Sequence, residues 1–207
     1  MNRKSHWEEI YRSKAHDTMS WFQHKPETSL NLIRSTGLSK RARIIDIGGG
    51  DSFLAENLLY MGYKDITVLD ISEKALERAR SRIGMRSKQI KWLVQDISEF
   101  TPQVKFDLWH DRAVFHFLTE EDEIEQYVKT ANKYIVPGGH LIIGTFSEKG
   151  PTKCSGIQIK QYSTESLSNL FIPFFERIEC LQIDHVTPLN KIQNFTFCRF
   201  RKYDSKE

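Results

Sequence analysis

Ile44-Ile45-Asp46-Ile47-Gly48-Gly49-Gly50 is an apolar, β-branched run that ends in consecutive glycines. The pattern reads as a buried strand over 43–48 that breaks into a tight turn. Working outward, residues 52–61 have helical spacing, with Gly62 as C-cap. Residues 65–70 read as a second strand, and Ser72 as the N-cap of a helix reaching about Arg82. Strands follow near 90–95 and 105–110, then a helix near 121–134. Pro137-Gly138-Gly139 leads into a strand over His140–Phe146. Strands alternating with helices imply a parallel sheet covered on both faces. The ending differs: residues 175–185 and 192–201 are strand-like, joined only by Thr187-Pro188-Leu189-Asn190-Lys191. A parallel crossover needs a dozen or more residues, so this link implies an antiparallel hairpin. The expected fold is α/β: a doubly wound, mostly parallel seven-stranded sheet closed by a C-terminal antiparallel hairpin.

In open α/β sheets, ligands bind beyond the carboxyl ends of the strands, where the strand order reverses. The glycines stand at such an end. Asp70 ends the second strand, about twenty residues further on, and a carboxylate there can accept hydrogen bonds from ribose hydroxyls. Together they indicate an adenosine-containing cofactor. A dinucleotide fingerprint requires a third glycine three residues after the second, and that position is Phe53. Asp46 and Asp51 put negative charge near the turn, which repels a pyrophosphate and suits a cation. S-adenosylmethionine (SAM) carries a sulfonium and an ammonium and no phosphate. Phe53 and the hairpin argue against a nicotinamide oxidoreductase.

Ile45-Asp46-Ile47-Gly48-Gly49-Gly50 resembles the glycine motif of class I SAM-dependent methyltransferases, which have a Rossmann-like fold. Asp70, Gln95-Asp96-Ile97, Phe106-Asp107-Leu108-Trp109-His110-Asp111 and Pro137-Gly138-Gly139 resemble that family's later motifs, in its order. The resemblance implies that Asp46 and the glycines Gly48, Gly49 and Gly50 face the methionine part of SAM. It implies that Asp70 binds the ribose and Asp96 the adenine amino group, with Ile71 and Ile97 against the adenine ring. The product would be S-adenosylhomocysteine (SAH). His6-Trp7-Glu8-Glu9-Ile10-Tyr11 and Ser20-Trp21-Phe22 resemble the opening of a small bacterial group, itself similar to the lysine methyltransferases of elongation factor and citrate synthase. Thiopurine methyltransferase-like enzymes share that style of N-terminus.

Methyl transfer is an in-line displacement from an activated donor, so alignment and water exclusion matter most. The acceptor side is expected at the ends of the fourth and fifth strands, in His110-Asp111-Arg112-Ala113-Val114-Phe115-His116-Phe117. Asp111 orients the acceptor, removes a proton and adjoins the cofactor, or else caps the next turn. Arg112 binds an acceptor anion or orders a loop. His116 is a base or packs in an apolar turn. Trp21 and Phe22 close a lid over the methyl cation or anchor the N-terminal segment. Trp7 and Tyr11, spaced i, i+4, share a helix face assigned to core packing. The polar loop over 145–156 is a specificity element; Cys154 in it is a weaker option for a reactive thiol.

The chain has 207 residues, of which 39% are hydrophobic and 28% charged, with a net charge of +3. One domain over 1–207 accommodates this: a helical lid over 1–40, a core over 41–201 and a frayed tail over 202–207. Lys and Arg are scattered, so no specific nucleic-acid partner is expected. Cys154, Cys180 and Cys198 have no paired spacing and read as unpaired thiols, without a zinc site or disulfide framework. They, with the lack of a signal-like or membrane-spanning run, point to a cytoplasmic protein, a monomer or homodimer. The methyl acceptor, a protein lysine or a small thiol or amine, is not named by the sequence. A non-catalytic SAM- or adenosine-binding module is the alternative.

Overall fold

Alternate residues of a strand face opposite sides of its sheet, and both sides of this one are apolar. Ile45, Ile47 and Trp109 join one buried cluster with Tyr127, Phe171 and Phe200. Ile44 and Leu108 join the other, with Leu30, Ile33, Leu54 and Leu58. Strands buried on both faces belong in a parallel sheet sandwiched by helices. The computed structural model, which describes residues 2–204, has that architecture.

In chain order the elements are α1 (Arg3–Ser13), α2 (Glu27–Arg34), β1 (Arg43–Ile47), α3 (Leu54–Tyr60), β2 (Asp65–Asp70), α4 (Glu73–Ile83), β3 (Ile90–Val94), β4 (Phe106–Arg112), α5 (Glu121–Tyr134), β5 (Ile135–Phe146), β6 (Lys153–Cys154), β7 (Ile157–Gln158), α6 (Thr164–Phe171), β8 (Phe175–Val186) and β9 (Ile192–Lys202). The main sheet has seven strands in the order β3-β2-β1-β4-β5-β9-β8. β1 to β5 pair in parallel, and β9 pairs antiparallel with both β5 and β8. The Rossmann-like sheet with a closing hairpin is therefore observed. The order reverses between β1 and β4, which opens a crevice above their carboxyl ends.

Local signals act as expected at several ends. Ser72 Oγ accepts from the Ala75 amide at 3.1 Å, and Gly62 takes a φ of 88° just beyond α3. Three details depart from the sequence reading. β5 starts at Ile135, and Pro137-Gly138-Gly139 is an excursion inside it: Phe106 pairs with Ile135 while Leu108 pairs with His140. α6 occupies a stretch with no expected element. It is nucleated by a reciprocal cap between Ser163 and Ser166 and buries Leu167 and Phe171. The third is a correction. Cys180 and Cys198 are directly opposed on β8 and β9, with Cα atoms 4.1 Å apart, and form a disulfide. Direct opposition brings side chains together whatever their separation in sequence. Only Cys154 is free. The argument from unpaired thiols to a reducing compartment falls with this pairing.

No helix among the described residues is long and apolar enough to cross a membrane. Of the expected frayed tail, Lys202 ends β9, and 205–207 lie outside the described residues.

α1 lies across the crevice. Glu8 Oε1 accepts from the Glu73 amide at 2.8 Å, while Oε2 accepts from Ser72 Oγ at 3.1 Å and the Lys74 amide at 3.2 Å. A carboxylate at a helix N-terminus satisfies amides that have no partner in the helix. Arg3 Nη2 donates to both carboxylate oxygens of Glu123 on α5, at 2.5 and 2.8 Å. The two contacts strap α1 between α4 and α5.

Candidate active site

Beneath α1 lies a cavity whose floor is the turn after β1. Gly48 and Gly50 have φ values of 62° and 45°, in the left-handed region that glycine tolerates best. A Cβ on Gly48 would stand 1.9 Å from Val114 Cγ2, and one on Gly49 would stand 2.5 Å from Asp46 Oδ2. The turn is therefore pressed against its surroundings and admits no side chain. Gly48 and Gly49 line the cavity; Gly50 does not, being tucked beneath Tyr11 and Asp70.

Asp46 lines the cavity and is buried. His110, opposite it on β4, donates from Nδ1 to Asp46 Oδ1 at 2.7 Å. His110 Nε2 pairs with Ser29 Oγ on α2 at 2.8 Å. This buried chain fixes the carboxylate and leaves Oδ2 toward the turn. Asp70 also lines the cavity. Its Oδ1 accepts from the Ser72 amide at 2.8 Å, and desolvation pushes its pKa up to about 7. Nearby Asp51 and Asp46 add repulsion to that effect. A buried carboxylate is a strong acceptor for hydroxyl donors. Ile71, Asp96 and Ile97 continue the wall; Asp96 Oδ1 accepts from the Ser98 amide and hydroxyl, both at 2.9 Å.

The cover is aromatic. Trp7, Tyr11, Trp21 and Phe117 line the cavity. Trp7 stands edge-on to Trp21 and Phe117 at 6.0 and 5.2 Å between ring centroids. Trp7 and Tyr11 do pack in a small buried cluster with Met19 and Ala75, as expected, and the same face also lines the cavity. Phe22 does not reach it, and packs edge-on against His16 and Phe53, with ring centroids 4.9 and 5.9 Å away. Phe53, where a dinucleotide fold has its third glycine, carries the Arg82 guanidinium 3.9 Å from its ring. Asp51 also turns away, toward Arg78 and His16 at 3.6 Å each.

On the far side, Arg112 lines the cavity, with Gln193, Phe195, Phe146 and Cys154. The other two residues expected to act on the acceptor are not in the wall. Asp111 is fully buried on the opposite face of β4. Its Oδ1 accepts from the amides of Val114 and Phe115 at 2.9 and 3.3 Å, and its Oδ2 from Tyr127 Oη at 2.7 Å. These bonds shape the turn after β4, including the φ of 71° at Ala113. Asp111 therefore caps, and neither adjoins the cofactor space nor reaches the acceptor. His116 is fully buried behind Phe117 and Phe146, and its Nδ1 accepts from the Phe146 amide at 3.3 Å. Desolvation, helped by Arg112, holds its pKa down at about 3, so it is a neutral packing group rather than a base. Cys154 is a buried thiol with its pKa pushed up to about 11 by desolvation, the reverse of what a reactive thiolate needs.

Residues 44–139 match the family described as a methyltransferase domain. These residues form a class I SAM-dependent methyltransferase domain. The match runs from β1 into β5 and includes every cavity acid named above. Nodulation protein S of Rhizobium tropici is 31% identical over 124 residues, covering 60% of this chain and 51% of that protein. The eEF1A lysine and N-terminal methyltransferase of Mus musculus is 27% identical over 123 residues, covering 58% of this chain and 17% of that protein. The chain thus spans about half the length of the first relative and less of the second. The fold of the whole chain also resembles the crystal structure of N-methyltransferase NodS from Bradyrhizobium japonicum WM9 in complex with SAH. That likeness has a TM-score of 0.73 at 20% identity and covers 97% of this chain and 99% of that one, which shows the fold.

The cavity fits the cofactor of this domain class. The glycine turn leaves a cradle that a Cβ would fill, and buried carboxylates at Asp46 and Asp70 suit a cationic ligand bearing hydroxyls. Sequence reasoning missed Arg3, Ser29 and Gln193 in the wall.

Proposed function

We propose that the chain is an enzyme that transfers a methyl group to a small-molecule nucleophile, an amine or a thiol. The observation that carries this reading is the continuity of one cavity. Its wall includes the acids of β1 and β2, the aromatic cover and two further polar side chains, Arg112 and Gln193. When bound, SAM supplies a methyl group already activated by its sulfonium. Asp70 would hold the ribose, Asp96 the adenine amino group, and Ile71 and Ile97 the adenine faces. Asp46, fixed by His110, would hold the ammonium. Trp7, Trp21 and Phe117 exclude water, and their faces favour positive charge. Catalysis then rests on alignment, which can supply roughly 7–11 kcal/mol when reacting atoms are held in place.

A lysine of a protein is the second reading, supported by the likeness to the eEF1A enzyme. A covered cavity favours the small molecule, because a lysine side chain must enter on a large body. Incubating a lysate with the enzyme and methyl-labelled SAM separates them. Label in the small-molecule fraction supports the proposal, and label in one protein band supports the lysine reading. Binding of SAM by the folded chain with no transfer to either fraction would instead favour a non-catalytic module.

A further inference from the structure

Arg112 ends β4 in the cavity wall, and any role for it toward an acceptor rests on the methyltransferase reading. Its Nη1 donates to the carbonyl of Trp21 at 3.0 Å, and its guanidinium lies 5.3 Å from the centre of the Phe195 ring. These contacts fix the plane of the group. Nη2 is buried and has no hydrogen-bond partner among the described residues. The carboxylate that acts on it most is Asp46, whose Oδ1 is already engaged by His110. Cys154 stays a neutral thiol and offers no countercharge. Desolvation lowers the Arg112 pKa to about 10, which leaves the guanidinium charged at neutral pH. An unpaired buried charge is costly and persists where a ligand completes it. Gln193, opposite His185 and two residues from Phe195 on β9, has its Oε1 atom likewise buried without a partner. Both residues line the cavity. An amide free at one end can turn its N–H₂ toward an anion, and a planar guanidinium suits a carboxylate.

We propose that Arg112 and Gln193 form a carboxylate-binding subsite for the methyl acceptor, whose substrate class is a small amine or thiol bearing a carboxylate. The subsite sets which end of the acceptor enters and points the nucleophile back toward the glycine turn. A neutral amine or thiol of the same size lacks this anchor.

The test uses acetate and its neutral isostere acetamide, titrated into the SAH-loaded protein and followed through the indole N–H resonances. Acetate is expected to bind saturably, about tenfold or more tighter than acetamide. Arg112→Gln should lose that preference, Arg112→Lys should keep part of it, and SAH affinity should change by a smaller factor than acetate affinity in both. Equal binding of acetate and acetamide, or undiminished acetate binding by Arg112→Gln, overturns the proposal. A second arm compares SAH with 5′-methylthioadenosine, which lacks the amino-acid carboxylate. If Arg112→Gln weakens SAH alone, the anion at this site is the cofactor's own and the acceptor subsite is refuted. If the folded wild-type chain binds neither nucleoside, it is the underlying methyltransferase reading that fails.

Discussion

Replacing Asp111 separates a structural acid from a catalytic one. Its carboxylate accepts from two backbone amides and from Tyr127 Oη, which in turn accepts from Trp109 Nε1 at 2.9 Å. Asp111→Ala strands three buried donors, each costing about 1–3 kcal/mol. Against that, the carboxyl itself is strained by burial, since desolvation pushes its pKa up to about 6. The balance is a loss of about 3–5 kcal/mol. For a chain of this size that lowers Tm by roughly 6–20 °C. Asp111→Asn keeps an oxygen for the two amides and disturbs only the phenol, so its loss should be about 1–2 kcal/mol. Thermal and urea unfolding read the stability, and calorimetry reads SAH affinity at a temperature where each variant is folded. The expected result is lower stability in the stated order, with the folded asparagine variant binding SAH within about threefold of wild type. Unchanged unfolding midpoints combined with lost SAH binding would refute the reasoning.

Other outcomes are set by the same geometry. Gly48→Ala meets Val114 Cγ2 at 1.9 Å in a left-handed backbone, so calorimetry should find SAH binding lost or weakened at least about tenfold. Asp70→Asn should weaken SAH binding yet stabilise the ligand-free protein above neutral pH. The folded pKa of Asp70 is raised to about 7, so the carboxyl contributes stability fully present below its unfolded pKa and lost as pH rises through 7. The wild type should therefore lose on the order of 2–4 kcal/mol from this residue between roughly pH 4 and 8, and the asparagine variant should show a flatter unfolding profile. His110→Phe leaves Asp46 buried and unpaired; a cost of about 3–5 kcal/mol should appear in urea unfolding, and unchanged stability would deny the pair its role. Thiol titration of the unfolded, unreduced chain should find one reactive group, Cys154, and finding three would exclude the disulfide.

Much of the site was legible because it depends on short-range order. A strand, a glycine turn and an acid at the next strand end are local, and Asp46, Gly48, Gly49 and Asp70 stand where that order puts them. The misassigned residues broke the rule of alternation within β4. Leu108, His110 and Arg112 share one face, and Trp109 and Asp111 the other, so Asp111 and Arg112 cannot both enter one cavity. That signal was present in the sequence. So was the cysteine pairing: Cys180 and Cys198 are equidistant from Leu189, the centre of the hairpin link. Gln193 and Ser29 carried no such signal, because their places depend on how β9 and α2 pack on the finished sheet. Trp7 and Tyr11 were rightly put on one face, but a helix periodicity does not say what that face meets.

The Glu8 contact has a kinetic corollary. The carboxylate that ties α1 down is also what completes the start of α4, immediately beyond Asp70 and Ile71. Lifting α1 to exchange a ligand therefore uncaps a helix and releases the Arg3–Glu123 clasp. At about 1 kcal/mol for each of the three Glu8 bonds alone, the open form holds at most roughly one molecule in a hundred or two. Association through so rare a form would run about a hundredfold below its rate to the open form, and departure would slow with it. Residence time in the crevice would then depend on the fraying of a helix end as well as on the groups that touch the ligand.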